Sequence, residues 1–322
     1  MFAKIIATGS YLPKKILTNN DLAKTVDTTD EWIVSRTGIK QRHIAAESET
    51  SSDLALAASK QCLNSAKLTE KDLDAIIVCT TTPDLTFPST ATILQSKLGM
   101  KHGYAFDVQA VCSGFIYGLS VADSLITSGK AKRILLVGTE VFSKIVNWKD
   151  RNTCVLFGDG AGAVILEATK EDPKNGSAGI LATELRSNGD YGCHLQTTGG
   201  PSSTATVGYI TMNGGEVFKH AVINMASLAT EILQKNNLTK SDIDYLVPHQ
   251  ANIRILKSMA NKLSLPIEKV IITLDQHANT SAASIPLALD YAIKNNKVKA
   301  GDLILSEAMG AGFTWGAAIF RL

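Results

Sequence analysis

Apolar positions along this chain come in two rhythms. Short continuous runs, such as those within Asp74–Thr80 and Arg133–Gly138, have the length and β-branched content of strands covered on both faces. Longer stretches between them space their apolar residues as a helix face does. Lys4–Ser10 reads as a strand ending in a Gly-Ser turn. Asn20 is expected to cap a short helix, and Thr29-Asp30-Glu31 to start another around Trp32. Ser51 and Ser52 open a helix that runs to about Ala66. Phe87-Pro88-Ser89 begins one with Pro near its first turn and Gly99 at its end. A strand at Tyr104–Val108 turns sharply into a mostly apolar helix that starts at Cys112 and is stopped by Gly129. Strands alternating with helices predict a layered α/β fold.

The pattern then repeats. LTEKDLDAIIV at Leu68–Val78 is echoed by LTKSDIDYLVP at Leu238–Pro248. The strand at Phe106–Gln109, with its cysteine turn and helix, is matched by a strand-like Leu274-Asp275-Gln276, a turn at Asn279 and a helix over Ser281–Lys294. Each unit runs on into an apolar strand, Arg133–Gly138 and Asp302–Ser306, and closes with a glycine-rich strand entry, Gly158–Leu166 and Gly310–Phe320. The chain therefore reads as two copies of one α/β unit, residues 1–170 and 171–322, joined through the polar stretch Thr169–Ala178. Asn188–Gly208 reads as a mobile surface loop. Packed about a pseudo-twofold axis, the halves would bring equivalent turns together: Cys112 from one, Asn279 from the other, and His249 after the strand end that matches Val78–Thr80.

Composition narrows the class. A hydrophobic content of 45% with 19% charged residues is that of a globular domain, and a net charge of +2 gives no global attraction to nucleic acid or membrane. The first residues, MFAKIIATGSYLPKK, lack the layout of a signal peptide, and no apolar run reaches spanning length. Five cysteines, widely spaced and without a C-x-x-C, suggest neither a disulfide framework nor a zinc site. The expectation is a cytoplasmic protein with no structural metal.

Cys112 carries the candidate chemistry. It sits where a helix begins, followed by Ser113 and Gly114, so little bulk covers it, and the helix N-terminus should favour its thiolate. A lone cysteine is more often an inert core residue, and it rises above that only with partners. His249, fixed by the preceding Pro248, and Asn279 are the partners that the duplication brings near. Asn279 could equally cap the next helix. Cys, His and Asn differ from a hydrolase triad, where an acid orients an imidazolium. Imidazole and amide can instead both donate to one oxygen, which suits an enolate or a thioester oxyanion. Gly310-Ala311-Gly312 offers a further backbone N–H, or is simply a glycine-rich strand entry.

Over nearly its whole length the chain resembles the thiolase-like condensing enzymes, and among them the β-ketoacyl-ACP synthase III family. The motifs are DEWIVSRTGIKQRHIA (Asp30–Ala45), AVCSGF (Ala110–Phe115), FGDGAGAV (Phe157–Val164), PHQANIRI (Pro248–Ile255) and HANTSAAS (His277–Ser284). Cys-His-Asn is the signature of that branch; elongating synthases use Cys-His-His, and thiolases use a second Cys, whereas no cysteine follows Cys193. The resemblance implies a thiolase-like layered αβαβα sandwich and a cytoplasmic homodimer. It implies a decarboxylative Claisen condensation of acetyl-CoA with malonyl-ACP to give acetoacetyl-ACP, initiating fatty acid biosynthesis. Cys112 would be the acylated nucleophile, His249 and Asn279 the enolate donors, and the N–H groups of Cys112 and Ala311 the acetyl oxyanion hole. Acetyl-CoA is a substrate, and no metal or redox cofactor is implied. Trp32 and Arg151 would sandwich the adenine, with Thr28, Arg36, Gly214, Phe218, Ala251 and Asn252 along the phosphates and pantetheine. Gln250, Ala251, Asn252, Ile253 and Arg254, with Lys219 and Lys257, match the basic surface that docks the acyl carrier protein. Phe87 matches a residue that bounds the partner's acyl pocket across the dimer. Met309-Gly310-Ala311-Gly312 and Ala278 depart from the family's Phe with three glycines and its Gly, which puts the primer preference in question. A type III-like synthase of secondary metabolism with another primer or acceptor is the alternative; a thioester hydrolase and a non-catalytic homologue fit the site residues less well.

Overall fold

The computed structural model describes residues 1–322. The first half carries strands β1 (Phe2–Tyr11), β2 (Lys15–Thr18), β3 (Gln41–Ile44), β4 (Ala75–Cys79), β5 (Tyr104–Val108), β6 (Arg133–Glu140) and β7 (Gly160–Thr169). Its α-helices are α1 (Asn19–Leu22), α2 (Asp30–Thr37), α3 (Ser51–Ala66), α4 (Thr90–Leu98), α5 (Gly114–Thr127) and α6 (Arg151–Cys154). The second half carries β8 (Gly179–Ser187), β9 (Leu195–Thr197), β10 (Ile210–Met212), β11 (Tyr245–Leu246), β12 (Leu303–Gly310) and β13 (Thr314–Arg321). Its helices are α7 (Gly214–Lys235), α8 (Ile253–Lys262), α9 (Leu274–His277) and α10 (Ser284–Lys294).

Two sheets repeat one topology. The first runs β1-β7-β6-β4-β5, with β4 parallel to both β5 and β6 and the β6, β7, β1 pairs antiparallel. The second runs β11-β12-β13-β8, with β11 parallel to β12 and the rest antiparallel. A single parallel bridge from Leu246 to Val270 stands where β5 stands in the first half. Residues of α5 and α10 share one core cluster with both sheets, including Ile77, Leu136, Ile304 and Ala318, so these helices form the central layer. Helices α3 and α4 cover the far face of the first sheet, and α7 and α8 that of the second. The result is the five-layered αβαβα sandwich. Every residue of β4 is buried, as a continuous apolar run requires of a strand covered on both faces. No helix is long and apolar enough to cross a membrane.

Local signals behave as expected at several ends. The Asp53 carboxylate accepts from the Thr50 N–H and hydroxyl at the start of α3. Gly129 takes φ 75° just past α5, the left-handed position that glycine fills without strain. Pro88 lies near the first turn of α4, immediately before its Ser89 cap. Three expectations are corrected. Thr18, not Asn20, caps α1, because its hydroxyl reaches Asp21. Leu274–His277 is a helical turn, not the strand matched to β5; the backbone leaves the sheet after one bridge at Val270. Part of Asn188–Gly208 is structured, with a 3₁₀ stretch at Gly189–His194 and strand β9, which pairs with β10.

Candidate active site

The Cys112 turn is built twice. Val111–Ser113 forms a 3₁₀ turn ahead of α5, and Ser281–Ala283 forms the same turn ahead of α10. Both open on a left-handed residue, Val111 at φ 50° and Ser281 at φ 49°. Cys112 thus has Ala282 as its structural counterpart. Two glycines allow the close meeting of these turns. A Cβ on Gly138 would come within 2.3 Å of the Ala282 carbonyl oxygen, and one on Gly310 within 2.7 Å of the Cys112 nitrogen. The end of β12 therefore abuts the Cys112 backbone, and the N–H groups of Cys112 and Ala311 are not engaged by any backbone carbonyl.

Cys112 is 5% exposed. Burial pushes its thiol up to about 12, with the Glu140 carboxyl adding to the rise, while the neighbouring Ser281 hydroxyl opposes it. The reading from sequence, that the helix N-terminus favours the thiolate, is opposed by this desolvation, and helix α5 itself begins two residues after Cys112.

His249 follows β11, where its N–H donates to the Glu307 carbonyl at 2.8 Å. Its Nδ1 lies 2.7 Å from Ser284 Oγ, which also accepts from the Gln250 N–H at 3.4 Å. The Ser284 hydroxyl is free to donate to Nδ1, and in that arrangement the imidazole proton sits on Nε2. Burial pushes the imidazole pKa down to about 3, so the ring is a neutral donor at physiological pH. Asn279 is held by first-half backbone. Its N–H donates to the Leu156 carbonyl, and its own carbonyl accepts from Gly158 N–H. Its Oδ1 accepts from Ser281 N–H at 2.9 Å, which fixes the amide orientation and leaves Nδ2 as the free donor. Capping and function are compatible here: one atom caps, the other is available.

Cys112, His249 and Asn279 line one inner cavity of about 100 Å³, closed by apolar side chains that include Val217, Met225 and Met309. A larger outer cavity of about 780 Å³ is lined by Trp32, Arg36, Arg151, Gly214, Phe218, Asn252 and Arg254, among others. Leu156, Met212, Gly214, Phe218 and Asn252 line both, so the two cavities are contiguous. A small apolar chamber with three polar groups thus sits at the end of a polar, basic entrance.

Family models match two stretches of the chain: 3-oxoacyl-[acyl-carrier-protein (ACP)] synthase III over residues 106–189, and the C-terminal domain of the same family over residues 233–322. The chain belongs to that family. A β-ketoacyl-[acyl-carrier-protein] synthase III of Paramagnetospirillum magneticum is 56% identical over 320 residues, 99% of each chain. One from Wolbachia pipientis wMel is 57% identical over 318 residues, 98% of each. Among solved structures, the 3-oxoacyl-[acyl-carrier-protein] synthase III of Aquifex aeolicus VF5 superposes with a TM-score of 0.94 at 50% identity, covering 99% of this chain and all of that one.

Within this synthase III family member, the residues expected along a bound CoA do not all fall in one place. Trp32, Arg36, Arg151, Gly214, Phe218 and Asn252 line the outer cavity, and Ala251 the inner one. Thr28 lines neither, and its buried hydroxyl has no partner. The Trp32–Arg151 pair is closed on itself. The guanidinium carbon stands 4.8 Å from the ring centre, whereas a base held between them needs two van der Waals contacts, about 7 Å in all. Arg151 is tied back to the Asp27 carbonyl at 2.8 Å. Arg36 stacks on the same ring at 5.1 Å.

Lys219, Arg254 and Lys257 are exposed on α7 and α8, with Arg254 over the Phe218 ring at 5.3 Å. Asn252 caps α8 through Oδ1, and Ile253 is half-buried. Gln250 is 1% exposed and its amide is hydrogen-bonded internally, which removes it from the docking surface. Phe87 is 82% exposed, beside the exposed Leu85. Ala278, where the family commonly has Gly, takes φ 59°, a conformation that disfavours any side chain. Sequence reasoning missed Ser284, the hydrogen-bond partner of His249 Nδ1. It lies in the HANTSAAS motif, but only its distance to Nδ1 reveals the role.

Proposed function

We propose that this chain is the acyltransferase that joins a short acyl-CoA to malonyl-ACP, giving acetoacetyl-ACP, CO₂ and CoA when the primer is acetyl. The observation that carries the reading is three neutral polar groups, Cys112, His249 and Asn279, in one small apolar chamber behind a basic entrance. The Cys112 sulfur attacks the acetyl carbonyl, the N–H groups of Cys112 and Ala311 receive its oxyanion, and CoA leaves carrying the thiol proton. Malonyl-ACP then loses CO₂. Its thioester oxygen takes the enolate charge against His249 Nε2–H and Asn279 Nδ2–H. The enolate carbon attacks the acetyl carbon, and the C–S bond to Cys112 breaks. Neutral donors suit this step, because an imidazolium would carry its charge into a dry chamber at high cost. The scheme uses thioester chemistry and side chains alone, so it calls for no metal or redox group. An inner chamber of about 100 Å³ favours a short primer. Nothing in the site favours a secondary-metabolism acceptor over this one.

Incubation with acetyl-CoA alone should leave an acetyl group on the Cys112 peptide, discharged by malonyl-ACP to acetoacetyl-ACP. No adduct with any acyl-CoA would sink the reading.

The carrier protein is acidic in this reading, and Lys219, Arg254 and Lys257 receive it beside the entrance. Arg254→Glu should raise KM for malonyl-ACP by roughly 10-fold or more and, because Arg254 also lines the entrance, raise KM for acetyl-CoA by less. Unchanged KM for malonyl-ACP would remove Arg254 from the docking surface. The exposed apolar loop around Phe87 supports a homodimer; sedimentation as a single 34.3 kDa chain would exclude it.

A further inference from the structure

Gln250 sits between the two segments that carry the enolate donors. Its amide is buried and makes three hydrogen bonds. Nε2 donates to the Pro248 carbonyl at 2.8 Å and to the Ile271 carbonyl at 3.1 Å, and Oε1 accepts from the Thr273 N–H at 2.9 Å. Pro248 precedes His249. Ile271 and Thr273 lie on the segment that leads through α9 to Asn279. Main-chain pairing between these segments is brief: the bridge at Val270 and the Ile271 N–H to the Leu246 carbonyl at 2.9 Å. Beyond that point the strands part, and the Gln250 amide takes the place of the missing peptide group, donating to one side and both donating and accepting on the other. The Gln250 backbone N–H also donates to Ser284 Oγ, which lies 2.7 Å from His249 Nδ1.

We propose that Gln250 is a positioning residue that locks the His249 strand end to the Asn279 segment, so that the two donors converge on one oxygen. Three satisfied bonds on one buried amide explain why a polar side chain stands here: an apolar one would leave two carbonyls and one N–H without partners. The role rests on the proposed reaction. It acts in the decarboxylation and condensation half, because acetyl transfer needs Cys112 and backbone N–H groups only.

Gln250→Met keeps the length and removes every bond. It should lower the condensation kcat by roughly 10- to 100-fold, leaving acetyl transfer to Cys112 and KM for malonyl-ACP near the wild-type values. The same loss should appear with malonyl-CoA as acceptor, where no carrier protein docks. Gln250→Glu keeps the bond from Thr273 but sets a carboxylate against two carbonyls, so its condensation should recover, relative to wild type, as the pH falls and the carboxyl gains a proton to donate. That recovery keeps the test alive if Gln250→Met does not fold. Unchanged condensation, parallel loss of both half-reactions at every pH, or a defect confined to KM for malonyl-ACP would each overturn the role. A wild-type chain that takes acetyl but never condenses would instead overturn the reaction itself, and the wild-type control reads that separately.

Discussion

Cys112→Ser abolishes acetyl transfer, with an expected loss on the order of 10⁴-fold or more. The reason is one of position. Five cysteines are free, and Cys62, Cys79 and Cys154 are buried away from both cavities. Cys193 is exposed and lines only the outer cavity. Cys112 alone reaches the inner chamber beside His249 and Asn279. A serine hydroxyl there has no base strong enough to take its proton, since the neutral His249 imidazole has a pKa of only about 3, and an oxygen ester would not present the labile thioester that condensation needs. Peptide mapping after exposure to labelled acetyl-CoA reads the result. Transfer above about 1% of wild type, or label on the Cys193 peptide, would overturn the assignment. The pH dependence supplies a second check. With the free thiol pushed up to about 12, its iodoacetamide labelling should climb steadily from pH 6 to 9 without a plateau. A plateau near neutral pH would mean that the helix N-terminus outweighs burial after all.

The second large effect separates the two half-reactions. His249→Ala and Asn279→Ala should each cut malonyl decarboxylation and condensation by about 10²- to 10³-fold, the range for removing one donor from an oxyanion site. Acetyl loading of Cys112 should stay within a few-fold. Loss of loading to the same extent would place these residues in the first step instead. The pH profile is specific to the neutral imidazole. The folded ring titrates near 3 and the unfolded one near its usual 6.5. Below pH 6.5 the unfolded chain takes up a proton that the folded site refuses, so His249 contributes a loss of stability as pH falls through that window. The donor itself does not change there. Condensation should therefore show no His249 limb between pH 8 and 5, and acid inactivation should track unfolding. A descending limb at pH 6.5 with the fold intact would show an ordinary, exposed histidine.

Much of this protein is written in its sequence because much of it is local or repeated. Covered strands such as β4 and β6 announce themselves as continuous apolar runs, and caps such as Ser89 and Thr29 as single residues at helix starts. The duplication is legible because a repeated unit repeats its text, and it brought Cys112, His249 and Asn279 together before any coordinate. Where local text misled, a longer-range partner decided. Leu274–His277 looked like a strand by analogy with β5, but the backbone leaves the sheet after Val270. Gln250 was read as a docking residue because it lies in the segment PHQANIRI that the family resemblance assigns to carrier docking, yet its side chain is buried.

Other properties existed only once the chain was folded. The thiol near 12 and the imidazole near 3 are set by desolvation, which depends on everything packed around a group and not on its neighbours in the chain. The partner of His249 Nδ1 is Ser284, thirty-five positions away. The closed Trp32–Arg151 stack is set by the tie from Arg151 to Asp27, far from Arg151 in sequence. The sequence by itself determined the fold, the family and the three candidate groups that line one chamber, since periodicity, repeats and motifs are read along the chain. Protonation states, cavity size and the register between the two donor segments were decided by tertiary structure, since each is a distance or an environment that residues far apart create together.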